Sequence, residues 1–397
     1  MQALSAARRH ARPLLVAACV LLALGRQSLS EGRRAQHKDL PHLLLTALYM
    51  VRKTVSVLLK RALGLADHPY WAPHEEVAVR SLAFAAKIGH CTAPRLAISA
   101  YESAQRGVAR ATGALHMQDL DFGLGGQGGR DALLVALDRK TTLAAGAKVV
   151  LFFHGGGYII GSAGMYLGAQ HRWLKHMKEA GGVDALILSV EYPLAPETKY
   201  PANLHFAARA YDYVVDRLGV SPSRIVMAGD SAGGAMAHFV ARHAVEQRRH
   251  SLAGLVMISP WVNHSCASDS HAEHVHTDFV AGHDVLSDYS RAYVGDEHDP
   301  LQDHAISPIH GDVAFLPPSM ITYGEREVFK SDIERFAAKT LKAERDVLVV
   351  SGPDMPHIYP LMYPLVFNAE AGKALDQIAC FCVEKLMLAH QRAPECR

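Results

Sequence analysis

The feature that most constrains the fold is a set of short apolar runs that recur from residue 148 onwards. They are rich in Val, Ile and Leu and show little alternation with polar residues, which is typical of strands buried on both faces of a parallel sheet. Helical patterns separate several of the runs, for example over 202–218 and 232–247. This alternation predicts a parallel α/β sheet with right-handed crossovers. The six runs are Val149–Phe153, Ala185–Val190, Ile225–Met227, Leu252–Ile258, Ser319–Tyr323 and Val347–Val350.

The third run leads into the sequence Gly229-Asp230-Ser231-Ala232-Gly233, which a helical pattern follows. G-x-S-x-G between a strand and a helix predicts a nucleophile elbow, where a sharp turn holds the serine in a strained conformation above the sheet. The flanking glycines let neighbouring chain pass close to the turn. Because the motif also arises by chance in glycine-rich loops, its interpretation depends on the rest of the chain.

A nucleophilic serine also needs a general base, an acid that orients the base, and amide donors for an oxyanion. The expected chain order, serine then acid then histidine, selects His357, in the loop after the last run. For the acid we choose Glu327, which follows the fifth run. Glu325 and Asp332 are rivals, and Asp354 is a more distant one. The alternative is that these acids are solvated charges at the start of a helix.

The oxyanion donors are predicted from His154-Gly155-Gly156-Gly157, directly after the first run. Consecutive glycines leave their amides unobstructed, so we expect the amides of Gly155 and Gly156, together with that of Ala232, to be the donors. His154 is expected to brace this loop rather than to act as a base. A flexible turn is the alternative, and the position after a buried strand argues against it.

These motifs together resemble the hormone-sensitive lipase family of α/β hydrolases. The resemblance extends over roughly 148–388 and includes the segment Glu191–Glu197 between the two glycine motifs. It implies an α/β-hydrolase fold with a mostly parallel central sheet flanked by helices, beneath a helical N-terminal cap. It also implies hydrolysis of lipophilic carboxylic esters without a cofactor or metal. The family usually has Asp where Glu327 stands, and the longer Glu can still reach a histidine. The residues onto which family roles carry are Ser231, His357, Gly155, Gly156 and Ala232.

The N-terminus, together with the segments Gly324–Glu327 and Asp354–His357, most resembles membrane-associated sterol-ester deacetylases and arylacetamide deacetylase-like esterases. We therefore expect a serine carboxylesterase that removes short, acetyl-like groups from lipophilic alcohols such as sterols, through an acyl-enzyme. Two alternatives stay open. One is a non-catalytic small-ligand receptor on the same fold, and the other is a lipase that acts on longer acylglycerols.

The first residues have the features of a targeting segment. Arg8, Arg9 and Arg12 precede an apolar run, Pro13–Leu24, which is short for a spanning helix of about 20 residues. A cleaved signal peptide and an uncleaved signal anchor both fit residues 1–30, and a mitochondrial-type presequence is the alternative. We expect association with the endoplasmic reticulum membrane and a lumenal catalytic domain, or else secretion.

The segment after this leader is predicted to be helical. Apolar residues recur at helical spacing over 44–59, with basic residues between them. Such a helix could lie on a membrane surface or pack as a cap, and we favour the cap. We assign residues 31–140 to this N-terminal region and 141–397 to the catalytic domain. A glycine-rich linker or hairpin is expected over 123–129.

Composition excludes some other classes of function. The 397 residues carry a net charge of +2, which gives no electrostatic footprint for nucleic acid. The six cysteines fit no metal-ligand pattern, and the histidine-rich stretch His271–His276 lacks helix-face ligand spacing, so we expect a polar surface connection there. Asn263 begins a glycosylation sequon. No obligate protein partner is inferred.

Overall fold

The computed structural model describes residues 39–88, 92–280, 282–295 and 298–392. The targeting segment predicted over residues 1–30 lies outside the described residues.

An eight-stranded sheet occupies the centre of the molecule, in the order β1-β2-β4-β3-β5-β6-β7-β8. The six strands β4, β3, β5, β6, β7 and β8 pair in parallel. The pairs β1–β2 and β2–β4 are antiparallel. All six strands predicted from the apolar runs are present, so the prediction of a mostly parallel α/β sheet is confirmed. The strands are β1 His116–Leu120, β2 Ala132–Ala136, β3 Lys148–Phe153, β4 Ala185–Val190, β5 Ile225–Asp230, β6 Gly254–Ile258, β7 Ser319–Gly324 and β8 Val347–Gly352.

Helices cover both faces of the sheet and enclose two apolar cores. Side chains alternate along each strand, so in β3 Leu151 belongs to one core and Phe152 to the other. Met236 of α6 packs in the first core, and Trp173 of α4 packs in the second. The helices are α1 Asp39–Ala62, α2 Pro73–Ile88, α3 Thr92–Thr112, α4 Leu167–Gly181, α5 Ala202–Asp216, α6 Ala232–Arg242, α7 Asp269–His274, α8 His283–Val294, α9 Lys330–Lys342 and α10 Asn368–Arg392.

The first two strands lie inside the region assigned above to the N-terminal cap. β1 and β2 form an antiparallel hairpin around the glycine-rich 123–129 segment, and β2 pairs with β4. Of the two alternatives expected for this segment, a linker or a hairpin, the structure shows the hairpin. The sheet itself begins at His116 rather than after residue 140, and the N-terminal helical region consists of α1, α2 and α3.

The amphipathic pattern over 44–59 falls within α1, so the prediction of a helix there is confirmed. In the part of the chain that the structure describes, no helix combines the length and apolar character needed to cross a membrane.

The sequon residue Asn263 is buried. Its side-chain amide donates a hydrogen bond to Asp332 Oδ1 at 2.8 Å, and its Oδ1 accepts one from the Ser265 amide at 3.0 Å. A side chain held in this way is not presented to a glycosylating enzyme by the folded protein.

Candidate active site

Ser231 lies at a sharp turn between β5 and α6. Its backbone has φ 52° and ψ −122°, a strained conformation for a residue with a side chain. The Ser231 amide donates to the Ile258 carbonyl, and the Trp261 amide donates to the Ser231 carbonyl, both at 2.9 Å. A Cβ on Gly229 would collide with the Gly233 carbonyl, so the turn requires glycine there. The predicted nucleophile elbow is confirmed as a backbone structure.

His357 lies in the loop after β8, and its side chain is buried. Its Nδ1 faces Glu327 Oε2 at 3.7 Å, a separation that is an ion pair rather than a hydrogen bond. The Phe329 ring meets the imidazole edge to face, with 5.1 Å between ring centroids. The ring is thus held by packing on one side and by a carboxylate on the other.

Glu327 follows β7 and is fully buried. Its Oε2 accepts hydrogen bonds from the Ser259 hydroxyl at 2.6 Å and from the Gly324 amide at 3.0 Å. These two donors stabilise the carboxylate and orient Oε2 towards the imidazole. The structure therefore brings the chosen acid and the chosen base together.

The rival acids have other partners. Glu325 Oε1 accepts a hydrogen bond from the Ser351 hydroxyl at 2.8 Å. Asp332 accepts from Ser268 at 2.9 Å as well as from the sequon amide. Asp354 pairs with Arg326 at 2.8 Å. Among these carboxylates, Glu327 is the one that forms an ion pair with His357.

Ser259 connects the three loops and was missed by sequence reasoning. It follows Ile258, whose carbonyl holds Ser231, and its hydroxyl donates to Glu327 Oε2. The Ser259 hydroxyl oxygen also accepts a hydrogen bond from the Ile358 amide at 3.0 Å. Its φ of 46° places it in the left-handed region. The signal available in the sequence was its position directly after a buried strand, next to Pro260.

Asp278 is a second buried carboxylate that sequence reasoning missed. Its Oδ1 accepts the His357 amide at 3.2 Å, and its Oδ2 accepts the Val328 amide at 2.9 Å. One side chain therefore joins the base loop to the residue next to Glu327. Burial raises the pKa of Asp278 to about 6, and the positive charge of His357 opposes this rise.

Asp278 was overlooked because it follows the histidine-rich stretch, which was expected to be a surface connection. That expectation is wrong for His271 and His274, whose side chains are buried. His271 Nδ1 lies 2.8 Å from the Ser268 hydroxyl. The connection after α7 packs against the site instead of lying in solvent.

The environment of His357 raises its pKa. Burial, the largest single cause, lowers it, but the Glu327 carboxylate together with the charges of Asp278 and Asp230 more than offsets burial. The imidazolium form is thereby stabilised, which suits a base that holds a proton during part of a reaction cycle.

The His-Gly-Gly-Gly loop lies beside the elbow, but one of its amides has a different role from the predicted one. The Gly155 amide donates to Asp230 Oδ1 at 2.8 Å, and Asp230 Oδ2 accepts the Tyr166 hydroxyl at 2.8 Å. The prediction that Gly155 is an oxyanion donor is therefore wrong, because that N–H is occupied by the carboxylate that precedes Ser231.

The next two glycines leave their amides available. Gly156 has φ 109° and Gly157 has φ 62°, and a Cβ on Gly156 would collide with the Ile160 carbonyl. Within the described residues, the amides of Gly156, Gly157 and Ala232 donate to no hydrogen-bond acceptor. These three groups meet the requirement for unobstructed donors.

His154 has the bracing role that was expected of it. It is fully buried, its Nδ1 lies 2.8 Å from the Gly155 carbonyl, and its ring stacks on Tyr192 at 4.3 Å between centroids. The Tyr192 hydroxyl donates to the His154 carbonyl at 2.6 Å. Burial lowers the pKa of His154 to about 4, so it is neutral at pH 7.

The chain is similar to known proteins over this part of its length. Residues 150–361 match the family model for the alpha/beta hydrolase fold. An acetyl-hydrolase from Streptomyces hygroscopicus is 31% identical over 238 residues, which cover 59% of this chain and 75% of that protein. An esterase from Acinetobacter venetianus is 28% identical over 246 residues, which cover 60% of this chain and 75% of that protein.

Solved structures agree with this comparison. The hormone-sensitive-lipase homologue EstE7, from a metagenome library, superimposes with a TM-score of 0.64 at 29% identity, over 77% of this chain and 97% of that one. The family model spans β5, β7 and β8, which precede the loops of Ser231, Glu327 and His357. The chain therefore belongs to the alpha/beta hydrolase fold family, as a member of its hormone-sensitive lipase group of esterases.

Proposed function

We propose that this protein is a serine carboxylesterase with Ser231 as nucleophile, His357 as general base and Glu327 as the acid that orients it. The observation that carries the proposal is the ion pair of His357 with Glu327 in loops that Ser259 ties to the strained turn of Ser231. The three loops follow β5, β7 and β8, at the carboxyl edge where parallel sheets bind ligands.

In the proposed reaction, His357 accepts the Ser231 hydroxyl proton as the serine oxygen attacks the ester carbonyl. Because Nδ1 faces Glu327, Nε2 is the nitrogen that exchanges the proton. The imidazolium then protonates the departing alcohol, which leaves an acyl-enzyme. Water, deprotonated by the same nitrogen, hydrolyses the acyl-enzyme and restores Ser231.

The negative oxygen of each tetrahedral intermediate is assigned to the amides of Gly156, Gly157 and Ala232. A donor of this type typically contributes about 3 kcal/mol to transition-state stabilisation. Asp230 takes the Gly155 amide, so it holds the loop against the elbow and aligns the two following glycines.

The proposed substrates are short-acyl esters of lipophilic alcohols, such as sterol acetates. The name of the Streptomyces relative, an acetyl-hydrolase, supports a short acyl group. A buried aromatic cluster also lies next to the elbow, since Trp261 bonds to the Ser231 carbonyl and stacks on His264 at 3.9 Å between centroids. We propose that these rings limit the length of acyl chain that the site accepts.

The test is a series of p-nitrophenyl esters from acetate to palmitate, followed by cholesteryl acetate. We expect kcat/KM to fall by roughly tenfold or more between acetate and octanoate, because a filled pocket discriminates against added methylenes. A maximum at long chains would make the protein a lipase on acylglycerols. Tight ligand binding with no turnover of any ester would make it a receptor.

We further propose that the protein enters the secretory pathway and associates with the endoplasmic reticulum membrane, its catalytic domain in the lumen. The arginines before the apolar run Pro13–Leu24 support this location.

Asp278 is proposed to be a positioning residue, and Asp278→Asn tests this. Asparagine has a single acceptor oxygen, so either the His357 amide or the Val328 amide loses its partner. We expect kcat to fall roughly tenfold, because the imidazole is less well positioned. Loss of the charge lowers the pKa of His357, so the acid limb of the kcat/KM profile moves to lower pH.

The measurement is a pH–rate profile with p-nitrophenyl acetate, alongside the control Asp288→Asn. Asp288 is an exposed carboxylate that pairs with Arg291 on α8. A profile for Asp278→Asn that coincides with that of the control would show that Asp278 has no role at the base.

A further inference from the structure

Helix α1 presents its apolar side to the outside of the molecule. A surface helix ordinarily turns its apolar stripe to the core. Scattered exposed apolar residues are common, but a contiguous stripe marks an interaction surface. The residues of the stripe are Leu45, Leu48, Val51, Val55, Leu58 and Leu59, each of them half to two-thirds exposed.

The opposite side of α1 faces the protein, where it carries the buried Val57 together with basic residues. Lys60 pairs with Asp67 at 2.8 Å, and Arg61 pairs with the buried Glu76 at 3.3 Å. Burial also lowers the pKa of Lys53 on the same side. Most of the large apolar residues of α1 therefore face outward, while Val57 and the ion pair of Arg61 hold the other side against the protein.

The apolar surface continues beyond the helix and adjoins the candidate active site. Leu63, Leu65 and Tyr70 are exposed by 64 to 77%. The next residue, Trp71, is buried, and its indole N–H donates to the Asp354 carbonyl at 2.7 Å in the loop that carries His357. The outward face of α1 is thus coupled through Trp71 to the base loop.

We propose that α1 lies flat in the membrane interface, with this stripe embedded among lipid acyl chains. The stripe from Leu45 to Leu59 is about 21 Å long at 1.5 Å per residue, a length suited to lying along a surface. The chain that precedes α1 contains the apolar run Pro13–Leu24, which ends 15 residues before Asp39 (39 − 24). A leader that stays attached as a signal anchor would hold α1 at the same membrane surface. The exposed Arg52 beside the stripe suits anionic headgroups.

The binding arm of the test uses the full-length chain and vesicles of phosphatidylcholine and phosphatidylserine with brominated acyl chains. We expect the added tryptophan of Val55→Trp to be quenched relative to vesicles without bromine. The matched control is Leu341→Trp on α9, an exposed leucine far along the chain from α1, which should not be quenched. Equal responses from the two variants would overturn the proposal.

The kinetic arm rests on the proposed esterase function. The triple variant Leu48→Asp, Val51→Asp and Leu59→Asp should hydrolyse an ester dissolved in vesicles roughly tenfold more slowly than the parent protein, since charge opposes embedding of the stripe. Its rate on dissolved p-nitrophenyl acetate should be unchanged.

If the parent protein shows no esterase activity at all, the proposed function is wrong, while the quenching result still tests the membrane proposal by itself. If instead the parent is a dimer that the triple variant dissociates, and Val55→Trp is not quenched, the stripe binds a second copy and the membrane proposal is wrong.

Discussion

Replacing Ser231 by alanine is expected to lower kcat for p-nitrophenyl acetate by about 10⁵-fold, because the variant has no oxygen with which to form the acyl-enzyme. The fold should be retained, since the elbow is held by backbone hydrogen bonds to Ile258 and Trp261 and alanine faces the same φ of 52° as serine. The measurement is steady-state turnover beside the thermal unfolding midpoint.

The matched control for this substitution is Ser223→Ala. Ser223 lies before β5, where its hydroxyl contacts the Ser221 hydroxyl at 2.9 Å, outside the three loops of the site. The control should keep nearly full activity. If Ser231→Ala retained more than about a tenth of the parent rate, Ser231 would not be the nucleophile.

Glu327→Gln is expected to lower kcat by about 10³- to 10⁴-fold, the range seen when an acid that orients a catalytic histidine loses its charge. Glutamine keeps an oxygen that accepts from Ser259 and Gly324, so the loop should remain in place. Without the Glu327 carboxylate, the buried imidazole loses the main interaction that raises its pKa, and the acid limb of the pH–rate profile moves to lower pH.

Glu325→Gln is the control, two residues away on the same loop. Its carboxylate accepts a hydrogen bond from Ser351, a contact that the glutamine oxygen can also make. We expect less than about a twofold change in kcat, because this side chain does not face the imidazole. A larger loss at Glu325 than at Glu327 would assign the acid to the other residue.

The sequence predicted those parts of the fold that depend on local pattern. Buried parallel strands read as apolar runs, which is why β3 to β8 could all be placed. β1 was missed because it is a polar edge strand, His-Met-Gln-Asp-Leu. β2, Ala-Leu-Leu-Val-Ala, is a buried apolar run like the others, and it was passed over because it lies in the stretch assigned to the helical N-terminal region. The spacing of apolar residues correctly predicted that α1 is a helix, but this spacing does not reveal which side of the helix faces the protein.

Some residues of the candidate site could likewise be predicted from the sequence, and others were missed. Chain order and position after strands placed Ser231, Glu327 and His357 in loops that the structure brings together. Ser259 and Asp278 were missed, because their partners are residues distant in sequence: the Glu327 carboxylate and the Ile358 amide for Ser259, and the His357 amide for Asp278. The choice among three consecutive glycines failed because it depends on the Asp230 carboxylate, which captures the Gly155 amide.

The most direct test of the account is the rate at which a fluorophosphonate modifies the full-length protein, with the site located by peptide mass spectrometry. We expect one phosphonyl group on Ser231, added at a rate that falls at least about 10³-fold in His357→Ala, because the imidazole removes the serine proton as the bond forms. A label on another residue, or a labelling rate that His357→Ala leaves unchanged, would contradict it.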